Sequence, residues 1–483
     1  MIDDFDIKKK VVSGVLVLAT RKFVYQTILS FSNIILARIL MPEVFGSFAI
    51  ISFIILACGL LVNFGLGPAL VQKKGVVKPK HLRAIFTTLF ISSTILIIII
   101  YFLAPFMDLL YKGQLGEKGI FWLRIFSFSL LLNHLTAIST FLLQRNLNYK
   151  KLAIGEISVL FLAQVLTIFF AQRNLGIGSF VLGNLISQAV GFVLFFYLSP
   201  WKIGLNFRLS DLKIYLPFGL NYQANSLVNL VNTAIVPGFV GIISGSRAVG
   251  LINWAGGVRQ AGLAPFEIID KIMFPAASRI QNQKLLLKVL VEKMLKFSSM
   301  FSFPLLATIF ALAKPLTVII YTSSWLLGLT ALYLSLIQGI FILLGGVFID
   351  VLLALGRAKD VRNISMFWTA LQWILTIPLV FFWNFNGVVL AGLLVSTTFF
   401  IPLRKVTKEI DIRIWPNVLP YLFYSILLGL AISIVGRLFL LDSVWKLFAS
   451  ILFAGFAYLI ILLIFERKSI FKDAIKVYKL ILK

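Results

Sequence analysis

Between Arg362 and Arg404 the chain runs for 41 residues without a single Asp, Glu, Lys or Arg. One helix crosses about 30 Å of hydrocarbon with roughly 20 apolar residues, so this run is too long for one crossing and too apolar to fold in water. The cluster WNFNG at 383–387 places turn-forming residues in its middle, which predicts two membrane helices joined by a tight hairpin. Uncharged runs of single-crossing length recur at 44–72, 84–107, 125–143, 174–200, 414–436 and 447–465. The run 315–349 reads as an outer loop, YTSSW, followed by one span. The spacing predicts an all-α polytopic membrane protein with about 14 transmembrane helices.

This layout explains a charge balance that would otherwise suggest a nucleic-acid partner: 45 Lys and Arg stand against 18 Asp and Glu. An even span count puts both termini on one side, and the bias of Lys and Arg toward cytoplasmic loops says which. In that arrangement 33 of the 45 cations fall in cytoplasmic loops and tails and 9 in outer loops or their edges. The positive charge therefore holds loops at an anionic leaflet, and the expected partners are membrane lipids, with no nucleic acid. The basic KKK at 8–10 leads into a long apolar segment with no small-residue cleavage site, so no cleaved signal peptide is expected. No loop is long enough for a soluble catalytic unit, which argues against a membrane-embedded polymerase or glycosyltransferase.

Few residues could carry covalent chemistry. The lone cysteine, Cys58, lies in an apolar run, and the two histidines, His81 and His134, join no cluster with metal-ligand spacing. GLGPAL and GIGSFVLG sit in membrane helices, outside the strand-turn-helix context of a phosphate loop. The acidic DDFD at 3–6 resembles a metal-binding pair but lies in a tail. Catalytic residues, metal and cofactor are accordingly expected to be none, and the remaining function class is transport.

Ionisable residues inside spans are costly and mark function by default. Here they are Arg21, Lys22, Glu156, Arg259, Glu267 and Asp270. Arg259 stands 12 residues from both Arg247 and Lys271, about 18 Å from each at 1.5 Å per residue, too deep to snorkel. Arg21 and Lys22 allow two readings. If the first helix begins near Val11, Arg21 lies about 15 Å inside it and faces a wet cavity; if it begins at Phe23, the pair marks the inner interface. Adjacent helical residues point about 100° apart, and the reading adopted is Arg21 as a cavity cation with Lys22 snorkelling. A cavity lined this way suits an anionic head group. Gln26 and Asn33 in the first span, with Asn221, Gln223, Asn225, Asn229 and Asn232 in the seventh, would offer amides to a glycan.

A faint internal repeat organises the chain. VYQTILSFSNIILA at 24–37 aligns with NYQANSLVNLVNTA at 221–234, VFGSFAII at 44–51 with AVGLINWA at 248–255, and Pro68-Ala69 with Pro275-Ala276. Two halves that start on the same side make a parallel repeat. The expected divisions are an N-terminal lobe at 1–213, a C-terminal lobe at 214–405, and two further helices with a basic cytoplasmic tail at 406–483.

Three motifs carry a family likeness. LARILMPEVFGSFAI at 36–50, LQRNLNYKKLA at 143–153 and FPAASRIQNQ at 274–283 resemble signatures of the Wzx-type oligosaccharide flippases, polysaccharide exporters of the multidrug/oligosaccharidyl-lipid/polysaccharide (MOP) superfamily. The resemblance implies two six-helix lobes around a central cavity plus two extra helices, in a bacterial inner membrane. It also implies outward movement of an undecaprenyl-diphosphate-linked oligosaccharide by alternating access, with polysaccharide polymerase machinery as a further partner. A cation-coupled small-molecule exporter and a peptidoglycan lipid-precursor flippase of the same superfamily are the competing readings. Arg38, Pro42, Gly46, Pro275, Ser278 and Arg279 are expected to serve turns and helix ends, and Arg145 and Lys150 topology.

Overall fold

The structure, a computed structural model, describes residues 4–73, 75, 77–438 and 442–481. The side chains of 4–16, 18, 19, 61, 209, 224, 225, 228, 272, 437, 438 and 467–481 lie outside that description, as does Asp3 of the DDFD run. Helices make up nearly all of the described residues, with no strand among them. Two compact units divide after Leu251. The lobe boundary expected at 213 counts spans of a repeat, whereas this division follows packing, so the two measure different things.

The first unit contains α1 (Asp4–Ile39), α2 (Pro42–Asn63), α3 (Leu66–Gln72), α4 (Pro79–Leu110), α5 (Gly116–Phe126), α6 (Phe128–Arg145), α7 (Tyr149–Gln172), α8 (Ile177–Leu198), α9 (Leu216–Thr233) and the start of α10 (Gly241–Arg279). Proline at the first turn starts α2 and α4, where its fixed φ suits the helix and its missing N–H costs nothing. Asn148 caps α7 by accepting the Lys151 N–H at 3.3 Å. The core is largely apolar, with Ile50, Ile51, Leu123 and Val181 shut away from solvent and Phe48 stacked on Phe180 at 4.7 Å, although small hydroxyl residues such as Ser127, Thr167 and Ser179 are buried as well. Large side chains also point outward, as lipid permits: Phe102 is 73% exposed and Tyr197 82%.

Near its start α2 crosses α10 with backbone against backbone. A Cβ on Gly46 would overlap the Ser246 carbonyl, and one on Gly250 the Pro42 carbonyl. These two glycines are the aligned pair of VFGSFAII and AVGLINWA, and their reciprocal contact is what a pseudo-two-fold relation between repeats would produce. Glu43 and Arg247 pair beside them at 3.0 Å. The turn after α2 holds Gly65 at φ +61 against Gly219 of α9, a conformation and a closeness that any side chain would oppose.

The second unit takes up the rest of α10 and adds α11 (Lys284–Ala311), α12 (Ala313–Leu316), α13 (Leu329–Ala354), α14 (Ala358–Trp383), α15 (Asn386–Ser396), α16 (Phe400–Thr407), α17 (Trp415–Leu438) and α18 (Val444–Ile481). The hairpin expected at WNFNG is present, with Asn384 at φ +50 between α14 and α15. YTSSW likewise separates α12 from α13. α17 packs along α11, and α18 is tied to the same helix by Tyr458, whose hydroxyl donates to the Met300 carbonyl at 2.7 Å, and by Glu466 beside Lys296 at 3.4 Å.

Among the described residues twelve helical stretches are long and apolar enough to cross a membrane. The chain is thus a multi-pass, all-α membrane protein. α1 and α9 are not among the twelve, and both are the helices rich in Asn, Gln and, in α1, paired cations. The expected count of about 14 therefore turns on these two.

Candidate substrate site

α1 is continuous from Asp4 to Ile39, so neither helix start considered from sequence applies. Arg21 lies 18 residues before Ile39, about 27 Å from that end of the helix at 1.5 Å per residue. That is almost the full hydrocarbon thickness and puts Arg21 toward the opposite membrane face. Glu156, seven residues into α7, is about 10 Å from that helix's first residue. The two depths agree, and the Arg21 Nη1 donates to Glu156 Oε2 in an ion pair whose side chains are 30% and 32% exposed. The Arg21 Nε is buried without a hydrogen-bond partner.

Beside this pair α1 carries an exposed polar stripe. Lys22, Gln26 and Asn33 are all exposed and share a face by spacings of 4 and 7, whereas Arg21 is turned onto α7. Lys22, rather than Arg21, keeps company with the amides. On α9, Asn221, Asn229 and Asn232 form a second exposed stripe; Asn225 belongs to its spacing, but its side chain lies outside the described residues. Gln223 points elsewhere and is buried, with its Nε2 unpartnered, so it does not join Asn221. Lipid would not accept such stripes, which is the physical reason to read them as water-facing.

The second unit has its own partly buried arginine. Arg259 on α10 donates from Nη1 to Gln338 Oε1 of α13 at 2.6 Å, and its Nε is buried and unpartnered. Gly392 of α15 leaves the space that the Gln338 amide occupies: a Cβ there would come within 2.6 Å of Gln338 Nε2. Gln372 of α14 borders the same position, its Oε1 3.6 Å from where that Cβ would sit, and its Nε2 donates to Thr376 Oγ1 at 3.2 Å and to the Val388 carbonyl at 3.3 Å. The cluster is one cation among neutral amides. Further along α10, Asp270 lies beside Asp350 of α13, and Asp270 Oδ1 is buried without a hydrogen-bond partner.

Sequence reading missed Gln338, Gln372 and Asp350. The first two are neutral and were invisible to a search for charge inside spans; Asp350 served only as the end of an uncharged run. Arg145, expected to be topological, is committed to structure. Its guanidinium donates to the carbonyls of Leu70, Val71, Lys73 and Gly75, binding the end of α3 to α6. His134 lies against the Leu89 backbone of α4, and no group of three or more His, Cys, Asp or Glu able to hold a metal ion occurs among the described residues.

Known proteins share this architecture. Relatives include an uncharacterized membrane protein in the cps region of Klebsiella pneumoniae, 24% identical over 373 residues that make up 73% of this chain and 72% of the relative. Another is lipopolysaccharide biosynthesis protein WzxC of Escherichia coli K12, 25% identical over 347 residues, 70% of this chain and 68% of the relative. Among solved structures, lipid II flippase MurJ in an inward closed conformation superposes with a TM-score of 0.75 at 18% identity, covering 94% of this chain and 100% of that one. An inward-facing multidrug resistance MATE family transporter of the MOP superfamily gives 0.58 at 16% identity, covering 82% and 98%. At such identities the structural likeness carries the fold alone. Residues 35–328, more than half of the chain, match the polysaccharide biosynthesis protein family, and the chain belongs to that family.

Proposed function

We propose that this chain is a transporter, not an enzyme: a flippase that moves a lipid-linked oligosaccharide on a diphosphate carrier, of the undecaprenyl-diphosphate type, from the inner to the outer leaflet by alternating access. The observation that carries the reading is Arg259. A guanidinium in mid-span with a buried, unpartnered Nε and only a neutral amide for company is an unneutralised cation awaiting an anion. Its planar fork suits the paired oxygens of a diphosphate. The exposed amides of α1 and α9 offer donors and acceptors to sugar hydroxyls. The topology supported by the cation distribution has both termini in the cytoplasm, and delivery on the outer leaflet would hand the substrate to polysaccharide polymerase machinery.

The competing readings ask for different residues. A drug exporter driven by cations calls for a carboxylate free to bind them in the first unit, but there Glu156 is held by Arg21. A peptidoglycan-precursor flippase shares the diphosphate chemistry, and only the glycan tells the two apart. Deleting the gene and identifying the lipid-linked saccharide that accumulates on the inner leaflet tests the assignment. A capsule, exopolysaccharide or O-antigen repeat unit is the expected product; accumulation of the peptidoglycan precursor, or of no lipid-linked saccharide, overturns it.

A further inference from the structure

Arg21 poses a problem that Arg259 does not. An ion pair between α1 and α7 leaves the guanidinium already neutralised, although its Nε remains a buried donor with nothing to bind. A pair used only for packing would be expected to engage its donors fully, since a buried N–H left unmade is costly. The carboxylate meets the guanidinium through one oxygen and one Nη, occupying half of a fork that could take a bidentate anion.

We infer that Glu156 is a built-in competitor for the substrate's phosphate at Arg21: the anionic head group displaces the carboxylate, and the displaced carboxylate takes up a proton. This rests on the anionic-substrate reading above. The exchange balances as follows. The Arg21–Glu156 ion pair, one phosphate oxygen bearing a negative charge and one proton from water give an Arg21–phosphate pair and a neutral Glu156 carboxyl. One O–H bond forms on Glu156 and no bond of the substrate breaks. Without the proton, the step would leave an unpaired carboxylate half-buried within a membrane helix, which is strongly disfavoured.

Among the described side chains little else near α7 could take this part. Of the helices packed on it, α1 brings Arg21, the exposed Lys22 and, in its last turn, Arg38; α8 carries no acidic, basic or histidine residue, only the exposed tyrosine hydroxyl of Tyr197; and α6 brings His134, which lies against α4, and Arg145, which is spent on carbonyls. On α7 itself Lys151 donates to the Leu198 carbonyl at 3.4 Å, and Lys150 lies at the inner end.

The test measures affinity against pH for purified protein in lipid nanodiscs, with a farnesyl diphosphate glucosyl ester as probe. This diester stays fully ionised throughout the range, so any proton taken up belongs to the protein. Uptake of one proton per anion weakens binding by up to about tenfold per unit rise in pH. Wild type should show that slope. Glu156→Gln should bind more tightly than wild type at the alkaline end and lose the slope, and Glu156→Asp should keep it. An Arg21→Gln, Glu156→Gln double variant, which preserves a hydrogen-bonded pair without charge, should also be flat but weaker than Glu156→Gln. An unchanged slope in a folded Glu156→Gln, or weaker binding by it, overturns the exchange while leaving the substrate reading intact. Absence of probe binding by wild type removes both.

Discussion

The two partly buried arginines are alike in all but their company. Each engages one Nη with a single side chain of a neighbouring helix and leaves its Nε buried and unpartnered. In the first unit that neighbour is a carboxylate and in the second an amide. Glu156 brings the Arg21 site to zero net charge, whereas Gln338 orients Arg259 and leaves its charge standing. Hydrogen-bond geometry alone would rank the two equally; the difference of one charge separates a site that is open to an anion from one that must first be vacated.

That contrast can be broken in stages. Arg259→Ala should have the largest effect. Hydrogen bonds to charged groups contribute about 1.5–3 kcal/mol, so probe affinity should fall by roughly ten- to a hundredfold while the amount of folded protein in the membrane stays the same. Gln338→Glu comes next: it gives Arg259 the partner that Arg21 already has. Probe binding should weaken by about tenfold near neutral pH and show a steeper pH slope than wild type, recovering in acid. A Gln338→Glu protein that binds as wild type does would show that the charge of the neighbour is immaterial.

Gly392→Ala should act more gently. Its Cβ would press on the end of Gln338, a flexible group that can swing aside, so a loss of about threefold is expected, about 0.7 kcal/mol, with the pH slope of wild type unchanged. Smallest is Asp211→Asn. The Asp211 carboxyl is held below its ordinary range first by the Lys80 hydrogen bond and then by that of Asn206. A depressed folded-state pKa adds stability above the unfolded value and loses it as pH falls through the folded one. Asp211→Asn should therefore remove a little of the stability that wild type holds near neutral pH, seen in melting temperature, and leave the slope of probe binding untouched. A change in that slope would mean that ion pairs outside the spans contribute to it.

Much of this arrangement is written in the sequence, and the part that is not has a clear cause. Hydropathy and the WNFNG break place α14 and α15 because length in a membrane is fixed by bilayer thickness. The Gly46–Gly250 crossing is foreshadowed by a two-residue alignment. Arg259 is visible because it is a lone charge in an apolar span, 12 residues from both Arg247 and Lys271. The partners of the arginines are hidden. Glu156 lies 135 residues from Arg21 and Gln338 79 from Arg259, and helix periodicity says nothing about which helix packs on which. The same limit explains the choice between Arg21 and Lys22: a continuous α1 gives them opposite neighbours, and only the position of α7 shows that Arg21 is the one turned inward.

The most direct measurement is flipping itself. Vesicles reconstituted with the protein and an undecaprenyl-diphosphate oligosaccharide would be probed with a membrane-impermeant glycosidase that reads the glycan on one leaflet. Wild type should pass the protected glycan to the accessible leaflet, and Arg259→Ala should leave it protected while inserting equally well. Equal exposure by the two proteins, or none by wild type, would contradict the account.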